Sequence, residues 1–402
     1  MGGIVIVGAG QAGATLSQKL RSLGYEGEVT IYGSESVLPY ERPPLSKAYL
    51  LGDMEEERLY LRPQAVYDEK GIVVKTGKPV TALDTAAKTI TVGGETIGYD
   101  QIALTTGSVP NRLPAAIGGD LEGVFTVRSL GDIDRMSPRF THGAHVLVVG
   151  GGYIGLEAAA VAAKLGLQVT LVEMTDRILG RVAAPETADV IRAEHKAHGV
   201  DIREGVGLKE LVGSEGHVHR AHLTDGTDLT VDFVIVGTGI RPDTRLAEAA
   251  GLTCDNGIAV DEQGRTSAPD VWAAGDCTSF PYKGGRLRLE SVQNAIDQAE
   301  AVAANMLGAG ETYHPYPWFW SDQYDLKLQI AGLNTGYDRI VTRETDGARS
   351  HWYFRGETLL AVDAINAPRD YMVGKRLLEM GKSADPAVVA DPETNMKALL
   401  RT

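Results

Sequence analysis

Cysteine is nearly absent from this chain. Its 402 residues carry two, Cys254 and Cys277, which form no close pair. That count excludes a disulfide framework and a cysteine zinc site, and it leaves no CxxC dithiol for redox work. Such a profile fits a reducing compartment, so a cytoplasmic location is expected. Basic clusters are missing too. The net charge is -14, and no Lys/Arg-dense segment supplies the footprint of a nucleic-acid binder. No apolar run reaches the ~18 residues of a membrane helix. The chain opens on an apolar strand, Ile4-Val5-Ile6-Val7, with no charged and hydrophobic leader pattern before it, so no signal peptide and no membrane association are expected. The nine histidines show no metal-ligand spacing. His195 and His198 stand three apart on an expected helix, and His217, His219 and His222 lie in a polar stretch. Neither group has nearby cysteines, so both read as solvated and no metal is expected.

Glycine, by contrast, is plentiful at 48 residues, with no low-complexity run to account for it. Much of the excess falls in a passage that occurs twice. The first copy is Ile4–Val7, the turn Gly8-Ala9-Gly10-Gln11-Ala12-Gly13, a helical stretch to Leu23, and Glu28-Val29-Thr30-Ile31-Tyr32. The second is Val146–Val149, the turn Gly150-Gly151-Gly152-Tyr153-Ile154-Gly155, an Ala-rich helix to Leu165, and Gln168 to Glu173. Each strand is a continuous apolar run, as a parallel strand buried on both faces requires. Two such βαβ units predict two doubly wound, Rossmann-like domains in an α/β fold. Two further strands, Gln101–Leu104 and Phe233–Val236, run into glycine-containing ends, Thr105-Thr106-Gly107-Ser108 and Gly237-Thr238-Gly239. Val271–Ala274 does the same at Gly275-Asp276. Small residues there let backbone approach a ligand at the carboxyl edge of a sheet. A helix is expected over Asn294–Leu307. From about Tyr313 the composition changes to clustered aromatics and alternating segments, which predict a third, α+β domain of antiparallel strands with a terminal helix near Gly374–Met380.

The chemistry of the turns follows from their glycines. The first permits the tight turn, the second lets backbone approach a pyrophosphate, and the third allows the helix to pack on the strand. The helix N-terminus then faces the phosphates. One copy could be an ordinary βα turn; two in the same strand–turn–helix frame point to two dinucleotide sites. Glu173 ends the second strand of the second unit, about 18 residues after Gly155. A carboxylate there accepts from a ribose 2′-OH and repels a 2′-phosphate, which favours NADH over NADPH. In the first unit that slot holds Gly33-Ser34-Glu35, so Ser34 or Glu35 could serve the ribose. The string Pro39-Tyr40-Glu41-Arg42-Pro43-Pro44-Leu45-Ser46-Lys47 is stiffened by adjacent prolines, which could hold Lys47 against a ligand.

Taken together, Pro39 to Leu50, Gly150 to Glu157, Gly275-Asp276-Cys277, Glu290 to Ala295 and Pro317-Trp318-Phe319-Trp320-Ser321-Asp322-Gln323-Tyr324 resemble the ferredoxin reductases of bacterial oxygenase systems, almost end to end and in the same order. The resemblance implies two Rossmann-like domains of the glutathione-reductase type plus a C-terminal α+β domain. The FAD domain would comprise residues 1–112 and 243–312, the NAD domain 113–242 and the C-terminal domain 313–402. It implies tight, non-covalent FAD, with Gly8, Gly10, Ala12 and Gly13 at the pyrophosphate and Thr106, Gly107 and Gly275 at the sheet edge. Arg42 and Lys47 would lie near the flavin, Val80 and Arg128 would contact FAD, and Asp276 would bind the ribityl chain. The Val292 backbone would meet the flavin ring and Trp320 would cover it. Ser34 departs from an acidic ribose ligand usual in the family. For NADH, the hydride donor, the matching set is Gly151, Gly152, Tyr153, Ile154, Glu157, Glu173 and Gly239. Lys47, Glu157 and Trp320 are the candidate catalytic residues, with Glu157 pairing with Lys47.

The implied activity is hydride transfer from NADH to FAD, then single electrons to an acidic [2Fe–2S] ferredoxin, bound transiently, that serves a cytochrome P450 or ring-hydroxylating oxygenase. A monomer or weak dimer is expected. Arg62, Lys283, Arg286 and Arg288 are candidates for a basic docking patch. Other readings of the fold are an NADH oxidase, a rubredoxin reductase, or an NADH-sensing protein like apoptosis-inducing factor.

Overall fold

A computed structural model describes residues 3–345 and 347–401. The chain divides into two compact units. One comprises Met1–Arg42, Glu55–Val109 and Ile240–Pro315. The other comprises Pro43–Met54, Pro110–Gly239 and Tyr316–Thr402.

The first unit is built on a five-stranded parallel sheet in the order Val271–Ala273, Gln101–Leu104, Ile4–Val7, Val29–Tyr32, Ile72–Lys75. All four residues of Ile4–Val7 are buried, which is why that strand tolerates no polar residue on either face. The helix Gln11–Ser22 buries Ala12, Leu16 and Leu20, four apart, and packs against Ala295, Ala299, Val302 and Ala303 of the helix Val292–Met306. That second helix begins two residues before the Asn294 expected from sequence, because the Ser291 hydroxyl caps it by accepting from the Asn294 N–H. On the other face of the sheet, Val5, Val7, Ile102 and Leu104 pack with Leu252, Ile258 and Cys277. Strand order reverses between Ile4–Val7 and Gln101–Leu104, and ligands of open α/β sheets sit outside such a switch point.

The second unit repeats the plan. Its parallel sheet runs Asp201–Glu204, Gln168–Glu173, His145–Val149, Phe233–Val236, Val124–Thr126, with the switch between His145–Val149 and Phe233–Val236. The helix Tyr153–Lys164 buries Leu156, Glu157, Ala158, Ala159, Ala160, Val161 and Ala162. It is apolar nearly all round because it lies between its own sheet and the strand Trp318–Gln323. That strand starts a five-stranded antiparallel sheet, Trp318–Gln323, Leu326–Gly332, Thr358–Ile365, Ala348–Arg355, Arg339–Thr345. Trp352, Phe354 and Val362 pack there against Tyr371, Val373 and Leu377 of the helix Pro368–Glu379. This helix starts six residues earlier than the Gly374 expected from sequence, since Pro368 is pre-organised for a helix start. The architecture is therefore the expected one: two parallel doubly wound sheets and an antiparallel sheet with its helix. Among the described residues no helix is long and apolar enough to cross a membrane, and no group of His, Cys, Asp or Glu could hold a metal ion.

Candidate functional site

In the first unit the chain leaves Ile4–Val7 at Gly8, whose φ is +118°, and a Cβ there would stand 2.1 Å from the Thr105 carbonyl oxygen. A Cβ on Gly13 would stand 2.1 Å from the Gly8 carbonyl oxygen, so helix and strand touch through bare backbone. Gly10 has nothing within 4 Å of where its Cβ would be. It is the N-cap of the helix Gln11–Ser22, with no side-chain cap and no acidic residue in the first turn. Uncapped N–H groups beside open space and without a competing carboxylate suit a pyrophosphate, so these residues fit a dinucleotide.

Around this cradle, the Thr106 hydroxyl donates to the Asp243 carbonyl at 2.6 Å, and the Gly107 carbonyl accepts from the Asp243 N–H at 2.9 Å. Ser108 Oγ donates to Asp276 Oδ2 at 3.0 Å and fixes that carboxylate. The Gly275 N–H donates to Gln298 Oε1 at 2.8 Å, and the Thr278 hydroxyl shares that oxygen. Ser34 is exposed. Glu35 is engaged within the protein: its carboxylate accepts from Arg42 at 2.7 Å and from the Tyr40 hydroxyl at 2.6 Å. Burial disfavours the Arg42 charge, but Tyr40 and Glu35 outweigh it and raise the pKa. Val80 opens a separate three-stranded antiparallel sheet, and Val292 is the first residue of its helix.

The second cradle has the same backbone plan. Gly150 turns at φ +106°, and a Cβ on Gly155 would stand 2.1 Å from the Gly150 carbonyl oxygen. Gly152 is the uncapped N-cap of Tyr153–Lys164 and meets nothing closer than 4.0 Å. Here the strand end is acidic. Glu173 accepts from the Gly151 N–H at 2.8 Å through Oε2, and from the Thr175 N–H at 2.8 Å and hydroxyl at 2.7 Å through Oε1. Gly239, at φ +95°, closes the far side with its carbonyl accepting from Asn111. Ile154 is exposed. The Tyr153 ring packs 4.9 Å from Phe319, and its buried hydroxyl has no hydrogen-bond partner among the described residues; burial pushes that phenol well up.

Within the same unit, Lys47 Nζ lies 2.6 Å from Glu157 Oε2. The Glu157 side chain is 2% exposed and that of Lys47 20%. The 3-10 turn Pro43–Ser46 delivers the lysine onto the helix that carries the glutamate. Ser46 and Ser321 donate to the two carboxylate oxygens, each at 2.7 Å. Neither serine was singled out from sequence, although both sit inside the strings that carry the family resemblance. Trp320 is half-buried one residue from Ser321, its ring 5.6 Å from that of Trp318. Arg128 precedes the helix Leu130–Met136, its N–H donating to Asp132.

Two expectations about reactive side chains meet different outcomes. Cys277 is fully buried and burial pushes its thiol up to about 11, so it is an inert small residue, as read from sequence. His195, read as solvated, is instead wholly buried: Nε2 is 2.7 Å from Gln323 Oε1, and burial lowers its pKa to about 4. The lack of nearby cysteines argues against a metal but says nothing of burial, and the antiparallel sheet covers the face of the helix that carries His195.

Two dinucleotide cradles on two doubly wound sheets, with a lysine paired to a buried glutamate beside the second, define the class: an oxidoreductase built around nucleotide cofactors. Comparison with known proteins gives the family. Residues 2–299 match the model of the pyridine nucleotide-disulphide oxidoreductases, and residues 318–400 match the reductase C-terminal domain. The chain belongs to that family, and within it to the flavoproteins of the ferredoxin reductase group. It is 42% identical over 402 residues to the 5,5′-dehydrodivanillate O-demethylase ferredoxin reductase subunit of Sphingobium sp., covering 98% of this chain and 97% of that one. It is 40% identical over 399 residues to rhodocoxin reductase of Rhodococcus erythropolis, covering 98% and 93%. Among solved structures, that of the covalent putidaredoxin reductase–putidaredoxin complex superposes with a TM-score of 0.96 at 36% identity, covering 100% of this chain and 98% of that chain.

Proposed function

We propose that this protein is an NADH-dependent ferredoxin reductase that holds FAD tightly without a covalent bond and passes electrons to a [2Fe–2S] ferredoxin. That ferredoxin would serve a cytochrome P450 or a ring-hydroxylating oxygenase. The observation that carries the reading is a dinucleotide cradle in each unit together with, in the second, a partly buried Lys47 ion-paired to the nearly inaccessible carboxylate of Glu157. The relatives' names support the electron acceptor: one is a ferredoxin reductase subunit and another a ferredoxin–NAD(P)(+) reductase. We further read the chain as three domains, residues 1–112 with 243–312, 113–242 and 313–402.

FAD, when bound, would supply the redox chemistry, namely hydride acceptance from NADH and release of electrons one at a time. The protein supplies binding, orientation and electrostatics. The first cradle, with Gly8, Gly10, Ala12 and Gly13, takes the FAD pyrophosphate, and Asp276, held by Ser108, takes a hydroxyl of the ribityl chain. The second cradle takes NADH at Gly151, Gly152, Tyr153 and Ile154. Glu173, already held by Gly151 and Thr175, accepts from the ribose 2′-OH and repels a 2′-phosphate. Lys47 holds a positive charge for the electron-rich reduced ring, and Glu157 holds Lys47. Trp320 shields the ring from water.

For docking we propose Arg62, Lys283 and Arg286 as part of the surface that meets an acidic ferredoxin. Arg288 contributes less, since it is paired with Glu290 and only 15% exposed. Charge reversal at Lys283 should slow ferredoxin reduction at low salt and leave flavin reduction by NADH alone.

The deciding experiment mixes the purified protein anaerobically with NADH, then adds a [2Fe–2S] ferredoxin, following both spectra. Fast flavin bleaching followed by catalytic cluster reduction is the expected result. Bleaching with no transfer to several ferredoxins would move the assignment to an oxidase or a sensor.

A further inference from the structure

Behind the Lys47–Glu157 pair runs a line of buried polar side chains that the proposed reaction does not itself require. Ser321 Oγ is 2.7 Å from Glu157 Oε1; Gln323 Nε2 is 3.1 Å from Ser321 Oγ; His195 Nε2 is 2.7 Å from Gln323 Oε1; the Tyr324 hydroxyl is 3.3 Å from His195 Nδ1. Glu157, Ser321, Gln323 and His195 are each 2% exposed or less. The line reaches the surface at Tyr324, on which the exposed His198 ring stacks at 3.8 Å. Such a row inside a protein is costly unless every member is satisfied.

The direction of every bond in the row follows from one end. An ionised carboxylate can only accept, so Ser321 must donate to Glu157. A hydroxyl has one hydrogen, so Ser321 must accept from Gln323, and the amide presents NH2 to the serine. Its oxygen then faces His195, whose Nε2 must carry the ring hydrogen. That leaves Nδ1 to accept from Tyr324. Burial keeps His195 neutral, with a pKa near 4, so one tautomer persists across the neutral range.

We propose that Gln323 and His195 are positioning residues for the Lys47–Glu157 pair, acting through Ser321. The one-way row pins Ser321 as a donor, keeps the Glu157 carboxylate oriented, and so holds Lys47 in place. Strand geometry explains how the helix histidine reaches the pair: Ser321 and Gln323 are two apart on one strand and point to the same face. The inference rests on the functional reading above only for its kinetic arm.

Two measurements test it on the flavin-loaded protein. Nitrogen-15 NMR at neutral pH should show His195 as the Nε2–H tautomer, and Q323L should lose that single-tautomer state; an Nδ1–H tautomer in the parent protein overturns the proposal. Stopped-flow bleaching of the flavin by NADH should slow roughly five- to twentyfold in S321A and Q323L, with NADH affinity changed less than twofold. H195Q, which can still donate to Gln323, should stay within about twofold of the parent, whereas H195F should behave like Q323L. On a K47M background Q323L should add nothing, because both changes remove one unit. Equal slowing by Q323L with and without Lys47 would overturn the proposal, as would a folded, yellow Q323L that bleaches at the parent rate. If NADH bleaches no variant and not the parent either, the functional reading fails, and the tautomer measurement decides the row by itself.

Discussion

The two glycine turns share a backbone and differ in one exchange of side chains. In the register of the paired strands, Gly33 of the first cradle corresponds to Glu173 of the second, and Ala9 to Gly151. A Cβ on Gly33 would stand 2.6 Å from the Ala9 methyl, so that slot is closed to a carboxylate. In the second cradle the glycine has moved into the turn, and Glu173 reaches back to its N–H. The first cradle puts its nearest acid at Glu35, tied to Arg42 and Tyr40. The same turn thus carries a rigid acid at the strand end in one cradle and none in the other. The glycine pattern is common to the two cradles, and the strand-end residue is where they differ.

The largest expected effects come from breaking the shared part. G13V and G155V each drive a side chain into a carbonyl 2.1 Å away, with a loss of about 3 kcal/mol in urea unfolding. G13V should emerge colourless. G155V should emerge yellow and fail to bleach with NADH. If both lose flavin equally, the two turns do not serve separate nucleotides. Next, K47M strands the buried Glu157 charge and should cost about 3 kcal/mol. The double variant K47M/E157Q should recover most of that stability and none of the rate of flavin bleaching.

A third effect of similar size sharpens the contrast between the units, because the groups concerned lie in the second. His195 and His351 titrate near 4 in the fold through burial, below their ordinary 6.5. The unfolded chain therefore binds more protons between pH 6.5 and 4, and stability is lost as pH falls through that window, by about 3 kcal/mol per histidine. Asp363 opposes them: burial raises it from 3.8 to about 6, so its contribution is full below 3.8 and lost as pH rises through 6. Wild-type unfolding free energy should accordingly rise from pH 4 to 6.5, and that of H195Q should stay nearly flat. Parallel curves for the two would contradict the buried placement of His195.

Smaller changes separate the cradles by selectivity. E173A should reduce the preference for NADH over NADPH roughly tenfold, about 1.4 kcal/mol, with FAD content unchanged. T175V should do less, since it removes one of three donors to that carboxylate. Least of all, E35Q loosens a half-exposed pair and should change flavin affinity by under about 1 kcal/mol; a large loss of flavin would show that Glu35 contacts the ribose.

Much of this was legible in the linear chain. The doubled strand–turn–helix passages, the alternating C-terminal segments and the acid at Glu173 all follow from local periodicity and turn chemistry, which neighbours in sequence decide. The Pro-Pro-Leu-Ser-Lys string marked Lys47, and the family resemblance marked Glu157, more than a hundred residues away. Their shared partners Ser46 and Ser321 could not be read, because hydroxyl residues are common and only burial makes a particular one matter. Helix starts at Val292 and Pro368 shifted by a few residues because a cap and a proline, each a single local contact, outrank the apolar pattern. His195 went further wrong. By itself the sequence determined two nucleotide folds, an antiparallel third part and a chain without a dithiol, since each depends on spacing or on count. Only the tertiary structure decided which acids are spent inside the protein, which serines hold Glu157, and that a histidine on a polar helix is buried and neutral. Those outcomes depend on what covers each side chain, and the covering strand lies more than a hundred residues further along the chain.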